Sequence, residues 1–310
     1  MSKRILFITD PVDTLSVKKD TSLFMIEQAQ SIGIRSYQCE MLDISFNNNS
    51  VKAEAREITF FEQKIVLADS SLNIKLQDFD YVFMRKDPPV DQDYMNTLHL
   101  LDLAKVNGAK IINDPSAIKK FNEKVFALYF KEHIPNTIVS AKISEIKNFL
   151  AEFKEIVIKP LDGMGGESIY KINKINKAEE SIILQLTHQE TTAIVAQEFI
   201  PEIYEGDFRI LIINGTPFHK TLARIPQGKS FKGNLAAGGK GVAADLTQHQ
   251  KVVANEIGKV LIANGIIFAG LDMIGPKVTE INITSPTCAR QIFEQTGEDP
   301  IKTLFSSLWI

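Results

Sequence analysis

Apolar and polar positions over residues 1–120 switch repeatedly between a strand period and a helix period. Arg4 to Thr9 is a short apolar run that predicts a buried strand. Asp20 or Thr21 can cap a helix running through Leu23, Met25, Ile26 and Ala29 to Gly33. Phe79 to Met84 predicts another strand, Tyr94 to Lys105 a helix stopped by Gly108, and Lys110 to Ile112 a third strand. Asn113-Asp114-Pro115-Ser116 breaks the pattern. Such βα alternation implies a parallel sheet with helices on both faces. Ligands then sit beyond the strand C-termini, the edge where Asp10-Pro11 and Arg85-Lys86-Asp87 fall.

Residues 121–200 predict a helix-then-sheet unit closed by Pro201. Residues 201–310 open with a hairpin, Phe208 to Ile213 and Thr216 to Arg224 around Asn214-Gly215. A helix from Gln248 to Asn264 follows, then two short strands joined by Gly275-Pro276. The expected class is mixed α/β in three units, 1–120, 121–200 and 201–310.

Two stretches change this picture from architecture to chemistry. Ile156-Val157-Ile158 leads into Lys159, and Gly163-Met164-Gly165-Gly166 puts three glycines in four positions. Without Cβ atoms, backbone N–H groups can approach an anion closely. A P-loop would need Gly-Lys-Ser/Thr and a helix behind it, and a dinucleotide fingerprint would also open a helix. Here Ser168 to Ile172 is a second strand pattern, so the expectation is a flap folded over phosphates. Downstream, Glu280 and Asn282 are two apart on one strand face, with Asp272 on the partner strand. Two carboxylates and an amide oxygen are a hard-oxygen set that suits Mg²⁺ shared with substrate phosphates.

The hairpin adds cations. A two-residue turn places Arg209 opposite Lys220, and Lys220 shares a face with Arg224, so both arginines project from one strand surface. Planar guanidinium forks suit carboxylates and phosphates. Gln227 to Gly241 carries five glycines in fifteen residues, too many for a strand or helix of its own, and reads as a lid.

Seven blocks together resemble the bacterial, ATP-grasp type of glutathione synthetase. They are Asp10-Pro11 with Lys18 to Ser22; Met84-Arg85-Lys86-Asp87-Pro88-Pro89; Asn122-Glu123-Lys124; Lys159 to Gly166; Ala223 to Gly228; Gly233 to Gly239; and Thr279 to Thr287. The resemblance implies an ATP-grasp fold behind an N-terminal parallel-sheet domain. It implies ligation of γ-glutamylcysteine to glycine through an acyl phosphate, with ATP and two Mg²⁺ ions, Mn²⁺ being a substitute. By resemblance, Lys124, Lys159, Gly163, Met164, Gly165 and Gly166 hold phosphates. Gln197, Glu198, Phe199 and Ile200 read adenine, while Glu205 and Asp207 complete the nucleotide site. Asp272, Glu280 and Asn282 hold metal, and Arg209 and Arg224 act on the reacting groups. Asp10, Ser16, Arg85, Ser285 and Pro286 are assigned to substrate, and Gly228, Gly233, Asn234, Gly238 and Gly239 to the lid. A homotetramer is the family expectation. The rivals are a D-alanine–D-alanine ligase, a glutamate-adding ligase, or a catalytically silent ATP-binding relative. Against the last, the metal ligands and arginines are all present.

Composition narrows partners further. With 44% hydrophobic and 24% charged residues the chain has a soluble globular balance, and a net charge of −3 gives no basic excess for nucleic acid. No apolar run reaches the ~20 residues of a membrane span, and the five apolar residues before Asp10 are too few for a signal peptide. Two cysteines suggest no disulfide framework and a cytoplasmic setting. The five histidines lack metal spacing and read as bystanders, and Cys288 as a small buried residue.

Overall fold

The computed structural model describes residues 3–61, 64–163, 165–228 and 230–309. In the N-terminal unit, β1 (Arg4–Ile8), β2 (Arg35–Cys39), β7 (Tyr81–Met84) and β8 (Ile111–Ile112) form a parallel block in the order β2-β1-β7-β8. Asp20 caps α1 (Thr21–Ser31) by accepting from the Leu23 amide, and Asp91 does the same for α2 (Gln92–Val106). Strand β1 is buried on both faces, as a central parallel strand should be. Ile5 and Phe7 pack with α1 and the C-terminal helices, whereas Leu6 and Ile8 pack with Tyr94, Leu98 and Leu101 of α2.

The sheet is not purely parallel. Residues 44–75 add β3 (Ile44–Asn47), β4 (Ser50–Phe61), β5 (Lys64–Leu67) and β6 (Leu72–Lys75), all paired antiparallel through β4. Their mixed polar faces hid them from a reading that looked for apolar runs.

After α3 (Pro115–Lys120) and the single turn α4 (Glu123–Phe126), the central unit is a four-stranded antiparallel sheet. Its members are β9 (Thr137–Ser140), β10 (Ile156–Pro160), β11 (Tyr170–Ile172) and β12 (Ile194–Glu198), in the order β11-β10-β12-β9. Helices α5 (Ile143–Phe153) and α6 (Lys177–Leu186) cover one face through Ile146, Leu150 and Ile183.

The C-terminal sheet is antiparallel in the order β15-β14-β13-β16-β17. These are β13 (Asp207–Ile213), β14 (Thr216–Ile225), β15 (Lys240–Asp245), β16 (Phe268–Ile274) and β17 (Lys277–Asn282). Helix α7 (Gln248–Ala263) backs it, while α8 (Ala289–Thr296) and α9 (Pro300–Leu308) return to the N-terminal sheet, so one core joins Phe7 to Phe268 and Phe305. Asn113 braces the same junction: its Nδ2 donates to the carbonyls of Phe268 and Ile283, both at 2.7 Å, and its Oδ1 accepts from the Phe268 amide at 2.9 Å.

The hairpin register differs from the expectation. An irregularity between Ile210 and Ile212 places Arg209 opposite Leu222 rather than Lys220. The slip is two residues, so the face is preserved and both arginines still project together. The 227–241 segment is also better formed than its glycines suggested. It folds through a short 3₁₀ turn, Leu235–Ala237, and enters β15 at Lys240.

Candidate active site

The functional side chains meet where the central and C-terminal sheets face one another. Two adjoining cavities open there. The larger, about 230 Å³, is lined by Lys124, Lys159, Gly163, Gly165, Gly166, Arg209, Arg224, Asn234, Asp272, Glu280, Asn282 and Ser285 among others. The smaller, about 100 Å³, is walled by Gln197, Glu198, Phe199, Ile200, Phe231, Asp207 and Gly233, and shares Lys159, Asp272 and Glu280 with the first. A slot with apolar walls from Phe199, Ile200 and Phe231 thus adjoins a charged chamber.

Its floor is a knot of ion pairs. Arg209 grips Asp272 with both prongs, Nε to Oδ1 at 2.5 Å and Nη2 to Oδ2 at 2.9 Å. Arg224 bridges Asp207 at 2.5 Å and Asp272 at 2.9 Å. All four side chains are buried. Burial would raise the Asp272 carboxyl, but the two guanidinium groups outweigh it and bring it down to about 2. Asp207 is pushed up by burial, relieved only in part by Arg224. Asp272 stands opposite Glu280, and Gly270 opposite Asn282, so the three hard-oxygen residues share one face. A register irregularity between Asp272 and Met273 skips Thr279, whose carbonyl accepts from Lys159 Nζ at 3.2 Å. Burial pushes the Lys159 ammonium down, Glu280 opposes that shift, and Lys124 adds to it. Lys124 reaches the Gly163 carbonyl at 2.5 Å and Glu280 at 3.1 Å.

A divalent cation fits this donor set. Asn282 donates through Nδ2 to Gly270 and Asp272, which leaves its carbonyl oxygen for a ligand. Asp207 Oδ1 is buried with no hydrogen-bond partner among the described residues, an atom that calls for one. Among the described residues no group of three His, Cys, Asp or Glu side chains gathers as a metal cluster, so the amide of Asn282 is needed to complete the set.

The roof is the flap and the 227–241 segment. Gly166 has φ +85°, and a Cβ there would lie 2.8 Å from Asn234 Oδ1. A Cβ on Gly233 would lie 2.4 Å from the Arg224 carbonyl, so only glycine lets this segment run against the arginine strand. Lys232 Nζ donates to the Gly166 carbonyl at 2.8 Å and joins the two loops. Gly228, Gly238 and Gly239 line neither cavity, and Met164 lies outside the described residues.

Several expected positions stand apart. Asp10 is taken by Lys86 at 2.9 Å and by the Asp87 amide, so it organises the 86–87 loop. Arg85 is buried, donating to Ser22 and to the Pro286 carbonyl, each at 3.0 Å. Ser16 and Glu205 are exposed. None of these four, nor Pro286, lines either cavity. Asp10 and Arg85 thus hold the loops that follow strands β1 and β7. Conversely, Asp87, Glu123, Thr284, Thr287 and Cys288 do line the larger chamber. Asp87 follows β7 at the sheet edge expected to face a ligand, whereas Glu123 stands beside Lys124 with no pattern in the sequence to mark it as buried. Burial raises both carboxyls, and for Glu123 the charge of Glu280 adds to the rise.

Solved structures share this fold at low identity. The ATP-grasp ligase PsnB, complexed with minimal precursor, Mg and ADP, matches with a TM-score of 0.62 and 15% identity, over 98% of this chain and 96% of that one. D-alanyl-alanine synthetase A from Vibrio cholerae matches with a TM-score of 0.61 and 12% identity, over 99% and 97%. Ligases with different substrates therefore share the fold, and sequence must choose among them. The model of the prokaryotic glutathione synthetase N-terminal domain matches residues 4–119, and that of the prokaryotic glutathione synthetase ATP-grasp domain matches residues 123–297. The glutathione synthetase of Nitrosomonas europaea is 39% identical over 310 residues, covering 98% of this chain and 97% of its own. With both of its domains matched along nearly the whole length, the chain belongs to the prokaryotic glutathione synthetase family, on an ATP-grasp fold.

Proposed function

We propose that this chain is an ATP-dependent carboxylate–amine ligase that joins γ-glutamylcysteine to glycine, giving glutathione, ADP and phosphate. The observation that carries the reading is the continuous pair of cavities: an apolar slot opening into a chamber with Lys124, Lys159, Arg209 and Arg224 on its walls. The family match supplies the substrate class.

In this reading adenine occupies the slot beside Gln197 to Ile200, and the phosphates lie between Lys159, Lys124 and the glycine flap. The cysteinyl carboxylate attacks the γ-phosphorus, and the bond to the ADP oxygen breaks. The amine nitrogen of glycine then attacks the acyl carbon, the C–O bond to phosphate breaks, and the amine sheds its proton. Arg224 and Arg209 face both the phosphoryl group and the carboxylate, where planar forks neutralise the spreading charge. Positioning and charge neutralisation do most of the work in such a transfer. Asp272, Glu280 and Asn282 would hold divalent metal, which when bound draws charge from the phosphate oxygens. Two Mg²⁺ ions, Mn²⁺ as a substitute, and a homotetramer belong to the same proposal. The flap and the 227–241 segment would exclude water from the acyl phosphate, a role supported by their contact through Lys232 and Gly166.

The test is ADP release with γ-glutamylcysteine and glycine, set against pairs of D-alanine. Turnover only with the first pair supports the proposal, and turnover with D-alanine alone would sink it.

A further inference from the structure

Three consecutive residues around the turn α4 reach three different parts of the chamber. Asn122 caps the turn through Oδ1 and donates through Nδ2 to the Leu161 carbonyl at 3.0 Å, at the root of the flap. Lys124 reaches the Gly163 carbonyl and Glu280. Glu123 points elsewhere. Its Oε1 accepts from the Ile283 amide at 2.7 Å, the Thr284 amide at 2.9 Å and the Thr284 hydroxyl at 2.8 Å.

Those two residues directly follow Asn282. The β16–β17 ladder ends with the pair Gly270 and Asn282, so the next two amides have no strand partner. A buried N–H left alone is costly, and here one carboxylate oxygen takes both. From the other side the Ile283 carbonyl is held by Asn113 at 2.7 Å. The exit of the strand is therefore pinned at the point where its last side chain faces the chamber.

We infer that Glu123 is a positioning residue for the metal strand: it fixes the backbone after Asn282 and thereby the placement of Asn282 and Glu280. This rests on the proposed metal set. Glu123 acts through hydrogen-bond geometry, not by contributing a ligand. Partners that orient metal ligands typically change metal affinity about 10–100-fold when removed.

The experiment titrates Mg²⁺ into protein saturated with a non-hydrolysable ATP analogue, by calorimetry, alongside binding of the analogue without metal. Glu123→Ala should lower Mg²⁺ affinity about tenfold or more, a larger factor than any change in metal-free analogue binding. Glu123→Gln keeps a carbonyl oxygen for the same donors and should lose under about threefold. Glu280→Gln is the control for the metal set. Normal Mg²⁺ affinity in Glu280→Gln would show that the metal reading itself fails, and the inference with it. Weak binding in Glu280→Gln with normal binding in Glu123→Ala overturns the inference alone. So does Glu123→Gln as severe as Glu123→Ala, which would make charge the cause, or an equal loss of metal-free binding, which would mean general loosening. If Glu123→Ala does not fold, Thr284→Val removes one of the three bonds and decides: a loss of about threefold supports the assignment, and wild-type affinity overturns it.

Discussion

The floor and the roof of the chamber are built in opposite ways. On the floor, Arg209, Arg224, Asp207 and Asp272 project from paired strands, are almost fully buried, and hold each other through several short ion pairs. Among the described residues, the two parts of the roof are joined by Lys232 to Gly166, the flap is tied to α4 by Lys124 to Gly163, and glycine is needed where chains approach closely. Charge that must stand in one place is put on a sheet. On the proposed function, closure that must be reversible is left to loops.

Substitutions in the buried knot of arginines and aspartates should therefore cost both catalysis and stability, those at the part-exposed Glu280 mainly catalysis, and those in the roof mainly coupling. The largest effect is expected for Glu280→Gln, which removes one charge at nearly constant shape. We predict a fall in kcat of about 10³-fold with little change in Tm, since Glu280 is part-exposed and, among the described residues, is paired with Lys124 alone. Steady-state kinetics at limiting Mg²⁺ checks this, and near-normal turnover would exclude Glu280 as a metal ligand.

Arg224→Lys comes next. A surface arginine could be exchanged at under ~1 kcal/mol, but Arg224 is only 3% exposed and divides its fork between Asp207 and Asp272. Lysine keeps the charge and loses the planar fork. We expect kcat to fall about 10²-fold together with kcat/KM, the mark of a group acting in the transition state. We also expect a stability loss of about 1–3 kcal/mol by denaturant melt, because a buried acceptor is left without its donor.

Asp272→Asn tests the floor through pH. The carboxyl sits at about 2 when folded and near its ordinary value when unfolded, so it adds stability above about pH 4 and loses it as pH falls towards 2. The variant should be destabilised by roughly 3–5 kcal/mol at neutral pH, through the unpaired arginines. Its acid limb between about pH 4 and 2 should be flatter than that of the parent. Parallel acid limbs would show that Asp272 is not the paired carboxylate it is on this floor.

The same division explains what could be read from the chain alone. The hard-oxygen face of Glu280 and Asn282 was legible because strand alternation has period two, and one irregularity at Thr279 did not break it. The arginine pair survived a register error for the same reason: a two-residue slip returns to the same face. What stayed hidden depends on contacts between distant segments. Arg85 and Asp10 sit at strand ends, yet are consumed by Pro286 and Lys86. Glu123 looks like a solvated helix acid until its carboxylate is seen to accept from the backbone just beyond β17, 160 positions away. Strands β3, β4 and β6 alternate apolar with polar residues, and the short apolar run of β5, Ile65 to Leu67, is only part-buried, so residues 44–75 do not read as the apolar strands of a parallel sheet.

The smallest effect should come from Lys232→Met. Lys232 is half-buried, and its ammonium donates one bond, at 2.8 Å, to the Gly166 carbonyl. Methionine keeps most of the stem and loses only that bond, worth about 0.5–1.5 kcal/mol net. The closed pair of loops should then open about 2–10-fold more often, with no change on the floor. Limited proteolysis should cut the 227–241 segment faster by that factor, both free and with nucleotide bound. An acyl phosphate under a leakier roof meets water more often, so ADP release should exceed peptide formation while Tm and Mg²⁺ affinity stay at parental values. A variant with parental cleavage rates and full coupling would show that Lys232 does not latch the roof. One with weakened Mg²⁺ binding as well would show that the two halves of the chamber are not independent.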